Sequence, residues 1–114
     1  MLRTDSSLRH IGRAVRWIRD HHAETIRVED LSRLSGMSVS AFHRDFRAVT
    51  AMSPIQFQKQ IRLQEARLLL FTRPDDVAGA GHAVGYDSAS QSSREYRRQF
   101  GAPASRDAAR RRVR

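Results

Sequence analysis

Cysteine is absent from this 114-residue chain, which excludes disulfides, cysteine–zinc sites and thiol nucleophiles together. Long apolar runs are absent as well. The longest is Leu68-Leu69-Leu70-Phe71, far short of the roughly 20 residues that span a bilayer. The opening Met1-Leu2-Arg3-Thr4-Asp5-Ser6 lacks the apolar core of a secretory signal, so the expected location is the cytoplasm. No paired carboxylates, nucleophile–base set or phosphate-cradling glycine loop occurs, so neither an enzyme nor a cofactor is expected. Lysine is nearly missing: Lys59 stands alone among basic residues that are otherwise arginine.

Positive charge is what the chain has in excess. Twenty-one basic residues face 12 acidic ones, a formal net of +9, and the isoelectric point is about 11.5. Residues 1–52 carry a net of +3 and residues 53–114 a net of +6. A basic domain of this kind suits a polyanion such as nucleic acid. Composition alone leaves this open, because an arginine-rich coding bias produces the same excess.

Hydrophobic periodicity predicts helices throughout. From Ser7 to His22, Leu8, Ile11, Val15 and Ile18 recur at three- and four-residue spacing, with Ala14 and Trp17 widening the stripe. A short helix is expected from Val28 to Ser35, with Glu29 and Asp30 favourable in its first turn and Gly36 ending it in the left-handed conformation. Ser38 then caps a helix reaching Val49. Val39, Phe42, Phe46 and Val49 share one face of it, Ser40, Arg44 and Arg47 the opposite one, and His43 the edge. Two helices around a tight glycine turn, the second with a polar and basic outer face, describe a helix-turn-helix. Ser53-Pro54 opens a long helix that Arg73-Pro74 stops; its Phe57, Ile61, Ala66, Leu68, Leu69 and Leu70 wrap more than one side.

The second half repeats the first. Ser38 through Arg47 aligns with Ser88 through Arg97 at an offset of 50, with both serines and both arginines identical and Asp45/Glu95 and Phe46/Tyr96 closely matched. Upstream, Gly36 matches Gly85 and Val28 matches Val77 at an offset of 49. Ser88 with Gln91 is a capping-box pattern. The expected organisation is a first helix-turn-helix over 7–52, a linker helix over 53–73, and a second helix-turn-helix with a basic tail over 74–114.

These residues resemble the AraC/XylS transcription regulators. Val28-Glu29-Asp30-Leu31, Gly36-Met37-Ser38 and Ala41 through Phe46 are similar to that family's first motif, Thr50 through Arg67 to its linker helix, and Val84 through Ser88 with Arg94 through Gly101 to its second motif. The resemblance implies an all-α domain of about seven helices that binds promoter DNA through two recognition helices and usually activates transcription by contacting RNA polymerase. Its base-contacting positions fall on Ser40, His43 and Arg44, and on Ser90, Gln91, Ser93 and Arg94. Ala80, Gly81 and Ser92 stand where the family prefers Ile or Val, Ala, and Phe, so a loosened second unit is expected. Ala104 replaces a usual proline. Most members carry a sensing or dimerising domain ahead of this one, so the chain is expected to be either a stand-alone regulator or a piece of a longer one.

Among these positions Arg44 and Arg94 suit guanine, which arginine reads with two hydrogen bonds. Arg47, Arg97 and Arg98 suit phosphates. His21-His22 reads as helix-end polarity rather than a metal site, since helix neighbours point about 100° apart. The acid Asp107 reads as a partial offset to the basic tail formed by Arg106 and Arg110 through Arg114. The expected partner is double-stranded DNA, bound by a monomer. A helical adaptor acting through protein–protein contacts is the competing reading.

Overall fold

In the computed structural model, residues 5–110 are described, and they form seven helices and no strand. In order these are α1 (Asp5–Asp20), α2 (Val28–Leu34), α3 (Val39–Thr50), α4 (Pro54–Thr72), α5 (Val77–Ala83), α6 (Ala89–Phe100) and α7 (Ala104–Arg110). The all-α class therefore stands, with helix ends within two residues of those expected. The Arg111–Arg114 part of the basic tail and the side chain of Arg110 lie outside the described residues.

Punctuation is local chemistry. Ser53 and Gln56 form a complete capping box at the start of α4: Gln56 N donates to Ser53 Oγ (3.2 Å), and Ser53 N donates to Gln56 Oε1 (3.0 Å). Pro54 follows at the first helical position, where its missing N–H costs nothing. The helix then runs unbroken for 19 residues. Contacts divide the chain into two compact units whose boundary lies between Lys59 and Gln60, inside α4.

In the first unit, Ile11, Ala14 and Ile18 of α1 are buried, as are Leu31, Phe42, Phe46 and Phe57. Phe46 is the aromatic hub, with its ring 5.5 Å from that of Phe42 and edge-on to Phe57 at 5.7 Å. Gln58 is buried and its Nε2 donates to the carbonyls of His22 (3.1 Å) and Glu24 (2.6 Å), pinning the segment after α1. The second unit is built on Leu63, Ala66 and Leu70 of α4 with Ala80, Val84, Tyr86, Tyr96, Ala104 and Ala108.

Several positions read as core are exposed. Leu8 stands in the second turn of α1, and Val39 and Val49 in the terminal turns of α3; burial is concentrated between such ends. Leu68 and Leu69 are exposed while Leu70 is buried. Three consecutive helical residues point about 100° apart, so one buried stripe cannot take all of them.

Candidate nucleic-acid interface

The duplicated motif has the same backbone hydrogen bonds in both copies. After α2, Gly36 N donates to Arg33 O (3.0 Å) and Met37 N to Ser32 O (2.9 Å); after α5, Gly85 N donates to His82 O (3.0 Å) and Tyr86 N to Gly81 O (3.1 Å). Both glycines have positive φ, 68° and 107°, as a Schellman-type helix end requires. Asp87 is the one extra residue before the next cap. Ser38 Oγ then accepts from Ala41 N (3.2 Å), and Ser88 Oγ from Gln91 N (3.3 Å). The two turns differ in sequence at most positions and agree in bonding.

Turns of this kind set the register of α3 and α6, each 12 residues long. Phe42, Phe46 and Tyr96 are buried, and Phe100 is partly buried against the second core with its ring 4.6 Å from that of Tyr96. The opposite faces are open. Ser40, His43, Arg44 and Arg47 on α3 are all exposed, and so are Ser90, Gln91, Ser93, Arg94, Arg97 and Arg98 on α6. Every residue proposed from the sequence for base or phosphate contact is thus free to meet a partner within its own unit. For Gln91 the structure records the half of the capping box in which its backbone N–H donates to Ser88. Its side chain is exposed.

The acids beside the two central arginines turn inward. Asp45 is buried, and its Oδ1 accepts from Arg44 Nε at 3.3 Å. Glu95 is half-buried beside Tyr86. Burial first, and the Glu95 carboxylate next, hold the Tyr86 hydroxyl well above its ordinary range; Arg62, whose guanidinium lies 5.5 Å from the Tyr86 ring, acts in the opposite sense.

The second unit's departures are matched to one another. A methyl group on Gly81 would come within 2.4 Å of Ser92 Oγ and 2.9 Å of Ser92 Cβ. The small pair therefore lets α5 approach α6 closely. Gly79 N donates to the capping Asp76 carboxylate at 3.0 Å, which helps α5 form despite two glycines. A groove of about 330 Å³ between α4 and α5 is lined by Leu69, Thr72, Arg73, Asp76, Gly79, Ala80 and Ala83.

Asp107 departs most from its sequence reading. It is buried, not a surface offset to the tail: its carboxylate accepts from Arg67 Nε (2.9 Å) and Nη2 (3.4 Å) and from the Tyr96 hydroxyl. Arg67 also lies over the Phe100 ring, 4.2 Å from its centroid. This network ties α7 to α4 and α6, fixing the back of α6. A lone acid in a basic segment was the available signal. At the end of α1, His21 stacks on Trp17 with ring centroids 4.3 Å apart and donates from Nδ1 to its carbonyl, while His22 donates to the Arg19 carbonyl.

A family model described as a helix-turn-helix domain matches residues 31–110, well over half of the chain and both copies of the motif. The chain belongs to the AraC/XylS family. Among curated relatives of this AraC-type domain, the transcriptional activator RhaS of Escherichia fergusonii is 30% identical over 98 residues, covering 86% of this chain and 34% of its own length. The transcriptional regulator ExsA of Pseudomonas aeruginosa is 29% identical over 100 residues, covering 88% of this chain and 36% of its own. The chain thus spans about a third of the length of these relatives. Among solved structures, a probable AraC family transcriptional regulator from Rhodopseudomonas palustris superposes with a TM-score of 0.80 at 28% identity, covering 92% of this chain and 99% of that one. The DNA-binding domain of AdpA, solved with a target DNA, gives a TM-score of 0.73 at 31% identity, covering 88% and 90%. Among the described residues of this domain, no helix is long and apolar enough to cross a membrane.

Proposed function

We propose that this AraC-type domain is the DNA-reading part of a transcription regulator and binds double-stranded promoter DNA sequence-specifically. Residues 7–52 act as the first reading unit, 53–73 as the linker and 74–114 as the second. On DNA, α3 and α6 occupy successive major grooves about 34 Å apart. Ser40, His43 and Arg44 contact bases in one groove, and Ser90, Gln91, Ser93 and Arg94 in the next. Arg47, Arg97 and Arg98 hold phosphates, which orient without specifying. Because the exposed residues of the two copies differ, the site is asymmetric and a monomer suffices. RNA polymerase is the proposed protein partner, the domain acts in the cytoplasm, and no catalysis is involved.

One observation carries this reading: ten proposed contact residues are all exposed on two helices that share caps, turns and register. The family membership and the DNA-bound AdpA domain support it. Selecting bound sequences from a random duplex pool, then titrating them by band shift at several salt concentrations, tests it. Affinity should fall steeply with salt, and selected sequences should bind about 10³-fold or more tighter than bulk DNA. Salt-insensitive or undetectable binding would favour the adaptor reading instead.

A further inference from the structure

Each recognition helix carries an acid directly after its central arginine, Asp45 after Arg44 and Glu95 after Arg94. The two acids are engaged differently. Asp45 has a side chain only 4% exposed, and it engages the Nε edge of Arg44, whose own side chain is 54% exposed. The bond leaves both terminal nitrogens of Arg44 uncommitted, and such a pair matches O6 and N7 of guanine. Glu95 instead lies beside Tyr86, and Arg94 has no ion-pair partner among the described residues. A buried carboxylate needs a charge or hydrogen-bond partner. In the first unit that requirement is met by the very side chain proposed to read a base.

We infer that Asp45 is a positioning residue for Arg44, and that the guanine facing Arg44 is the most strictly specified base of the site. The inference rests on the DNA-reading proposal above. An arginine already held at Nε loses less rotamer freedom when it docks, and its planar fork arrives oriented. Arg94 must order on binding, so its base is read less strictly. The asymmetry of the two half-sites then comes from a buried acid that touches no DNA.

The test uses the full chain and duplexes selected from a random pool. Loss of preference in Arg44→Ala and in Arg94→Ala marks the base pair that each arginine reads. Discrimination, the ratio of affinities for the preferred and substituted base pair, is then measured for Asp45→Asn. The lost negative charge strengthens binding to every duplex alike and cancels in that ratio. Discrimination at the Arg44 base pair should fall by about two- to tenfold, the range expected when one long side chain loses its preorganisation. At the Arg94 base pair it should not change, and Asp45→Asn on an Arg44→Ala background should lose nothing further. Asp45→Leu, which removes the acid and keeps apolar packing, carries the same expectation if the Asn variant does not fold by circular dichroism. Unchanged discrimination at the Arg44 base pair, or an equal loss at both, overturns the inference and leaves DNA reading intact. A wild-type chain with no sequence preference overturns both.

Discussion

The two recognition helices end on residues in the same left-handed conformation, Ala51 (φ 62°, ψ 15°) and Gly101 (φ 78°, ψ −1°). Each donates its N–H over 2.8 Å, to the carbonyl of Arg47 or Arg97. For an L-residue this region costs about 1–2 kcal/mol, because Cβ crowds the following carbonyl. Glycine avoids that clash but loses more chain entropy on folding, by about 0.4–1 kcal/mol relative to alanine. The difference leaves glycine ahead by roughly 0.5–1 kcal/mol at either position. Around Gly101 an added Cβ meets nothing within 4 Å, so backbone strain is the whole effect there. Ala51→Gly should raise unfolding free energy by that amount and Gly101→Ala should lower it, read by urea unfolding followed by circular dichroism. In melting temperature 1 kcal/mol is about 4–8 °C for a unit of this size. A destabilised Ala51→Gly, or a Gly101→Ala that melts unchanged, would refute the reasoning that these caps are equivalent.

Asp107→Ala should destabilise the second unit by about 3–5 kcal/mol, since it strands a mostly buried arginine and the Tyr96 hydroxyl; a thermal shift within a degree of wild type would show that the network does not hold α7. Gly81→Ala should be destabilising despite a helix-propensity gain of about 1 kcal/mol, because the methyl meets Ser92. On a Ser92→Gly background the same change should become stabilising, and a double-mutant cycle with no coupling would contradict the close approach. The raised Tyr86 hydroxyl favours the neutral phenol in the folded state. Its contribution is therefore complete below about pH 10, the unfolded value, and is lost as pH rises beyond it. Chemical denaturation across that range should show a decline that Tyr86→Phe removes.

Most of the architecture was legible in the sequence because it rests on local chemistry. Ser38, Ser53 and Ser88 mark helix starts, Gly36 and Gly85 mark the turns, and the offset of 49 then 50 relates the two copies. The structure extends that repeat. Ala51 pairs with Gly101, and Pro54 with Ala104, so the start of α7 answers to the start of α4. The exposed faces of α3 and α6 were legible too, since helical spacing alone separates Ser40, Arg44 and Arg47 from Phe42 and Phe46. What the sequence hid depends on tertiary contact. Asp107 is an acid in a basic segment, and composition assigns such a residue to the surface; its burial follows only from Arg67 and Tyr96 converging on it. Gly81 and Ser92 each look like a lost core side chain when read singly. Only their contact shows that one small residue accommodates the other.

Guanine N7 protection from methylation on a selected duplex tests the central claim most directly. Two protected clusters should appear about one helical turn, roughly 10 base pairs, apart on one face of the DNA. Arg44→Ala should remove protection from one cluster and Arg94→Ala from the other. A single cluster, or protection indifferent to both substitutions, would contradict reading by two helices of one chain.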